Sequence, residues 1–190
     1  MSFMLLGILN SQAAGGGGGT DFDLLETTTL TTTASTVTFS GLGSYASEYD
    51  HLQIRFVAKT NRSGSVDIVI MTLNGDTGSN YSWHSLGGNG SAVESTAGSS
   101  QVKINTVGVT AASATSGAMG AGVLDILDFA NTSKNTTVRG LGGEGLYDVR
   151  LISGAWYNTA AVTSITLDQN IGTTFNSTSR FSLYGIKKAV

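Results

Sequence analysis

Side chains that commonly carry catalysis are scarce in this sequence of 190 residues, which has two histidines and no cysteine. Ser82 and His84 lie two residues apart, with Asp76 shortly before them, so a Ser-His-Asp site is conceivable. No G-x-S-x-G turn precedes Ser82, however, and neighbouring side chains on one strand rarely converge as a triad requires. His51 has no second histidine at the spacing of metal ligands. The sequence therefore predicts neither a catalytic triad nor a histidine metal site.

Oxygen-bearing side chains cluster at two further places. Asn74, Asp76 and Asn80 share one loop, but the glutamate that would close an EF-hand loop around a hard cation is missing. Turn formation explains these residues more simply. Asp125 and Asp128 flank an apolar pair, and strand alternation points Asp125 outward while Asp128 begins a turn. We therefore expect no metal, no cofactor, no catalytic residue and no enzymatic activity; the alternative is a glycan hydrolase whose carboxylates converge from different strands.

The charge content is low and shows no basic cluster. Charged residues make up 12% of the chain, the formal net charge is −3, and ten Lys and Arg residues are scattered along it. A phosphate backbone or an anionic membrane needs a basic stripe or patch. We therefore expect binding neither to nucleic acid nor to a membrane.

The elements that would position any site read as β-strands throughout. Leu52, Ile54 and Phe56 alternate with polar residues, which is typical of a strand buried on one face. Residues 66–73 are apolar on both faces and predict a central strand, with Asp67 at its solvent-exposed start. Further strands are predicted at residues 81–86, 101–105, 119–129, 136–141, 149–157, 162–167 and 181–186. Gly- and Asn-rich turns separate them, including residues 87–90 and 142–145.

These short strands without alternating helices predict an all-β fold. Two packed antiparallel sheets, a jelly-roll-like β-sandwich with an extended N-terminal arm, fit best, and a closed barrel is the alternative. We divide the chain into an apolar anchoring arm at residues 1–14, a Gly-rich linker at residues 15–26 and a sandwich domain at residues 27–190.

The arm is the most unusual segment of the sequence. It is too short to span a bilayer and lacks the positively charged start of a signal peptide. Five consecutive glycines at residues 15–19 tether it to the domain. We expect it to bind a partner, and the alternative is that it pairs as an edge strand of its own domain or of a neighbouring copy. Its large apolar side chains are those of Phe3, Met4, Leu5, Leu6, Ile8 and Leu9.

Three aromatic residues are candidates for contact with a ligand. Tyr147, Trp156 and Tyr157 lie near predicted turns, where exposed rings would stack on sugars. The alternative for the adjacent pair is that one ring faces the core while the other faces outward.

Three stretches resemble small virion-associated structural proteins of tailed, often marine, bacteriophages. They are residues 49–55 (YDHLQIR), residues 73–84 (LNGDTGSNYSWH), which are the most specific, and residues 179–187 (SRFSLYGIK). Such proteins similarly begin with a short apolar segment before a low-complexity linker, so the likeness covers most of the chain. The resemblance implies localisation to the virion and association with other virion proteins, either the major capsid protein or tail components.

The function implied is that of a capsid decoration or cement protein attached through its N-terminal arm. The alternative is a tail or fibre-associated subunit, acting as an adaptor or as a host-glycan-binding module. Because β proteins must protect their edges, we also expect a homo-oligomer, with a trimer as the favoured state.

Overall fold

The computed structural model of the protein describes residues 21–188, so the predicted arm lies outside the described residues. This range contains twelve strands and one 3₁₀ turn at Leu42–Tyr45. The strands are β1 (Phe22–Thr29), β2 (Val37–Ser40), β3 (Tyr49–Ala58), β4 (Val66–Leu73), β5 (Tyr81–Gly88), β6 (Val93–Gln101), β7 (Ile104–Thr110), β8 (Gly120–Leu127), β9 (Thr136–Glu144), β10 (Asp148–Trp156), β11 (Ser164–Gln169) and β12 (Arg180–Lys187).

The strands form two antiparallel sheets. The larger has eight strands in the order β1-β12-β3-β8-β9-β10-β5-β6, and the smaller has four in the order β2-β11-β4-β7. This arrangement confirms the predicted all-β, two-sheet sandwich. The first strand begins earlier than predicted, because residues 22–26, assigned to the linker, pair with β12 and are part of β1.

Strand alternation places one face of the large sheet in the core. In β3, Leu52, Ile54 and Phe56 are buried as predicted, while Arg55 and Val57, which point the other way, are exposed. The inward-facing side chains of both sheets form one hydrophobic cluster that draws on residues between Val37 and Leu183. The sandwich core is therefore assembled within the described residues.

The predicted role of Asp67 as the solvent-exposed start of β4 is wrong. Asp67 is fully buried, and its carboxylate accepts hydrogen bonds from the Thr60 hydroxyl at 3.1 Å and from the backbone N–H of Ile68 at 2.9 Å and Gly172 at 2.9 Å. These hydrogen bonds replace those that the carboxylate would make with water, so they offset the cost of burying it. It ties the start of β4 to the loop that follows β11.

The two sheets differ in width, and this determines which strands stay partly uncovered. β7, at one edge of the small sheet, packs against β8, β9 and β10 of the large sheet. β6 lies beyond this cover at the edge of the large sheet, and most of its residues are exposed. The second face of the large sheet, which we call the outer face, points away from the small sheet.

Candidate functional site

The residues proposed for partner binding in the arm lie outside the described residues. Phe3, Met4, Leu5, Leu6, Ile8 and Leu9 therefore remain a prediction. The described chain starts at the edge of the large sheet, where the Tyr49 hydroxyl donates to Asp23 at 3.0 Å and Lys187 forms an ion pair with Asp23 at 3.1 Å. Burial, followed by the hydrogen bond to Asp23, raises the pKa of Tyr49 to about 12. These contacts hold β1 against β3 and β12 at this edge.

Trp156 is a core residue, so the prediction that it faces a ligand is wrong. Its side chain is 1% exposed, and its ring stacks on Tyr81 with centroids 6.4 Å apart. The indole Nε1 donates to the Asp76 carboxylate at 2.7 Å, which satisfies the one polar group of the ring. This hydrogen bond, with those from Asn80 and the Gly78 backbone N–H, lowers the pKa of Asp76.

The other two aromatic candidates are exposed but far apart. Tyr157 is 55% exposed just beyond one end of β10, and its hydroxyl hydrogen-bonds Ser82 at 2.9 Å. Tyr147 lies just before the other end of the same strand. A strand of this length spans roughly 27 Å, so the two rings do not form one stacking platform.

The polar groups considered for chemistry are engaged in structural contacts. The His51 Nδ1 accepts a hydrogen bond from the Asp128 backbone N–H at 2.9 Å. Asp125 accepts from Arg139 Nε at 2.8 Å and from Gln53 at 2.7 Å. His84 is exposed on the outer face, whereas the Asp76 carboxylate is held by Trp156. Ser82, His84 and Asp76 are therefore not brought together as a triad.

The Asn74 loop also uses its oxygens internally. The Asn74 Oδ1 accepts from the backbone N–H of Thr163 at 2.7 Å and of Ser164 at 3.1 Å. Among residues 21–188, no three Asp, Glu or His side chains cluster as metal ligands. Within residues 21–188, no helix has the length and apolar character needed to span a membrane.

A cavity of about 500 Å³ lies between two hairpins of the described domain. Tyr147 lines it, together with Leu146, Leu141 and Val149. Its remaining lining comes largely from glycines of β5, β9 and the turns that follow them: Gly88, Gly90, Gly142, Gly143 and Gly145. The lining is therefore mainly apolar, and Asn89, Glu144 and Asp148 add polar groups to it.

Glycines inside β9 line this cavity, and the prediction that they are a loop tip is wrong. A Cβ added at Gly143, where φ is +154°, would lie 2.1 Å from the Asp148 carbonyl oxygen. A Cβ at Gly142 would lie 2.6 Å from the Ala121 carbonyl oxygen. Only glycine allows the neighbouring backbones to approach so closely. Gly142 and Gly143 therefore serve strand packing within β9 and do not form a turn.

Two carboxylates lie at the base of the hairpin that carries Tyr147. Glu144 and Asp148 are register partners on β9 and β10. Glu144 is 6% exposed; its Oε2 accepts from the Leu146 backbone N–H at 3.2 Å, while its buried Oε1 has no hydrogen-bond partner among the described residues. Asp148 accepts from Arg150 Nε at 3.2 Å. Because Arg150 also reaches Glu94 at 3.5 Å, this cation is shared between two carboxylates.

The cavity opens onto a row of leucines that sequence reasoning missed. Leu86, Leu151 and Leu141 are register partners on β5, β10 and β9, and each is 52% exposed on the outer face. Val149 and Val93 are exposed and extend this apolar surface, because both are register partners of Gly88, two residues after Leu86 on β5. The sequence signal that could have revealed this row lies in β10, where the adjacent residues Leu151 and Ile152 place apolar side chains on opposite faces of the strand. We call Leu86, Leu141 and Leu151 the leucine row, and the row with the adjoining cavity the outer groove.

Comparison with known proteins gives one structural likeness. No protein-family model matches the chain, and no curated protein matches it. A solved structure of a mutant of the alginate lyase Aly36B, in complex with an alginate tetrasaccharide, is 9% identical and covers 86% of this chain and 81% of its own. Its TM-score is 0.28, so the likeness does not transfer an activity.

This comparison corrects the expectation that the chain is not an enzyme. That structure is of an enzyme, so the expectation is withdrawn, although a likeness at this TM-score assigns no activity to the chain. Carboxylates that act together can come from different strands without any signal in their spacing, so the scarcity of catalytic side chains in the sequence does not decide the question. The absence of activity is therefore not retained as a conclusion.

Proposed function

We propose that the chain is a structural protein of a tailed-phage-type virus particle, a capsid decoration or cement protein held in its assembly by the arm at residues 1–14. The observation that carries this proposal is that the described residues form one hydrophobic core between the two sheets. The six large apolar side chains of the arm come in addition to that core. They need another surface, and a neighbouring subunit of the particle supplies one.

The energetics favour an arm that binds elsewhere. Covering one large apolar side chain contributes about 1.5–3 kcal/mol, so six of them offset the cost of ordering a short segment. Five glycines at residues 15–19 place few conformational restrictions on where the arm binds. Once one contact of a tethered protein has formed, the second is effectively intramolecular, which suits a protein that must hold a shell together.

The surface of the domain suits packing among many copies. With 12% charged residues, few ion pairs or like charges need to be matched when uncharged faces approach one another. β6 and β1 are the two edges of the large sheet, and edges of this kind need protection. We therefore expect a homo-oligomer, with a trimer as the favoured state, located on the virion.

The test is to count bound copies on particles assembled with the full chain or with a variant lacking residues 1–14. Attachment should be lost with the arm, and a full-length control in which Asn10, Ser11 and Gln12 are changed to Ala should bind normally. Normal decoration by the deletion variant would overturn the proposal. Finding the chain on the tail instead would select the alternative, a tail or fibre-associated adaptor or host-glycan-binding module.

A further inference from the structure

The outer groove is an apolar surface for which the described part of the chain provides no cover. The leucine row crosses three adjacent strands and leads into the cavity beside Tyr147. Isolated exposed apolar residues are ordinary, but a contiguous row that ends in a cavity marks a surface for association. Gly142 and Gly143 line part of this cavity, at a point where β9 and its neighbours approach too closely to admit a side chain.

We infer that the outer groove receives residues 3–9 of a second copy of this chain, so that neighbouring copies are joined by exchanged arms. This inference rests on the proposed function and names the partner of the arm. Residues 1–20 contain no charged side chain, which matches the uncharged leucine row. Seven residues in extended form span roughly 23 Å, which is enough to follow the row and place an apolar side chain in the cavity.

The place where the arm leaves the domain favours a second copy over the same chain. β1 and β10 are five strand spacings apart in the large sheet, which corresponds to about 24 Å. The pairing registers place Phe22 level with Ala155, four residues from Leu151, which adds about 13 Å along the strands. The direct separation is thus roughly 27 Å.

The linker is too short to cover that distance comfortably. Residues 10–21 separate Leu9 from β1, and a flexible chain of that length has a root-mean-square span of about 19 Å. A span of roughly 27 Å exceeds this root-mean-square value but not the extended length of about 40 Å, so reaching its own groove would cost the linker conformational entropy. The path would also cross the polar surface of Arg55, Asp125 and Arg139. A neighbouring copy can present its groove close to the exit point, and an arm passed from each copy to the next closes a ring such as a trimer.

The absence of native cysteine permits a direct test by disulfide formation between full-length chains. One population carries Leu5→Cys and the other carries Ser153→Cys, which lies exposed on the outer face two residues from Leu151. After mixing and mild oxidation, the disulfide-linked heterodimer should exceed that of a matched control, Leu5→Cys with Ile171→Cys, by roughly tenfold or more. Ile171 is also exposed but follows β11.

A second variant identifies the occupant. If the arm binds its own groove, the double variant Leu5→Cys/Ser153→Cys will form an intrachain disulfide while the mixed populations do not cross-link, and the inference is overturned. If neither cross-links above the Ile171 control, the groove does not receive the arm, and the inference is likewise overturned. In either case the particle-binding assay decides the proposed function separately, because loss of attachment without the arm would then identify a different receptor.

Discussion

The two faces of β10 have similar apolar content but very different surroundings. Ile152 and Trp156 point inward and are buried between the sheets, whereas Val149 and Leu151 point outward and are more than half exposed. The inner face stabilises the sandwich. The outer face contributes little to folding, so its apolar residues are better explained by association with another chain.

Polar groups support the inner face as a packed core. The Trp156 indole donates to the Asp76 carboxylate at 2.7 Å, so both groups are satisfied there. Among the described residues, unpaired buried polar atoms occur at Glu144 beside the outer groove and also at three places elsewhere, so they do not mark the groove. The contrast between the two faces therefore rests on the exposed leucine row.

The largest expected effect is on the inner face. Trp156→Ala removes a buried ring and leaves Asp76 without its indole donor, which should lower the free energy of unfolding by about 3–5 kcal/mol. The neighbouring change Tyr157→Ala, at an exposed ring, should cost less than about 1 kcal/mol. Urea denaturation of both variants measures the difference, and equal losses would contradict the separation of core from surface.

Gly143→Ala tests the backbone that shapes the cavity. The added Cβ would approach the Asp148 carbonyl oxygen, at a φ of +154° that L side chains rarely adopt. We expect a loss of about 1–3 kcal/mol in the free energy of unfolding. The matched control is Gly145→Ala, where a Cβ meets nothing within 4 Å, and it should leave stability nearly unchanged. Thermal unfolding that ranks the two in the opposite order would show that the cavity floor tolerates side chains.

Asp76→Asn tests the polar contact of the inner face through pH. The folded-state pKa of Asp76 lies below the ordinary aspartate value of 3.8, chiefly because of the hydrogen bond from Trp156. Its stabilising contribution is therefore present above pH 3.8 and is lost as the pH falls through the lower folded value. Between pH 5 and pH 2, chosen as roughly bracketing these values, the native protein should lose more stability than Asp76→Asn. Parallel curves from acid titrations followed by circular dichroism would contradict this assignment.

The smallest effect on stability should come from the outer face. Leu141→Ser with Leu151→Ser alters only half-exposed side chains, so the free energy of unfolding should change by less than about 1 kcal/mol. The same double variant should reduce the native mass measured by light scattering from that of an oligomer toward that of a monomer. A control change at Ile171, also exposed, should leave the mass unaffected. An unchanged mass in the double variant would remove the outer groove from the account.

Much of the fold follows from alternation in the sequence. The inward residues of β3 and the two-sided burial of β4 were predicted because period-two patterns report sheet faces directly. β6 was missed because Val93–Gln101 is nearly all small or polar residues, and its pairing with β5 is decided by the hairpin rather than by apolar content. β-propensity is a weak guide to an edge strand of this kind, because packing does not select its side chains.

The candidate site was harder to predict than the fold. Trp156 and Tyr157 are adjacent, and alternation says that they point to opposite faces without saying which face is the core. Likewise, Gly142 and Gly143 suggest a turn in the sequence, although the close approach of neighbouring backbones requires glycine within the strand. Leu86, Leu141 and Leu151 are distant in sequence, and only the strand pairing brings them into one row.

The central claim is that exchanged arms hold copies of this chain in a particle. Cryo-electron microscopy of the intact assembly, with the map traced through residues 1–20, tests it most directly. The account predicts residues 3–9 lying across Leu151 and entering the cavity beside Tyr147 of a neighbouring copy. A map in which the outer groove faces solvent while the arm binds elsewhere would contradict it.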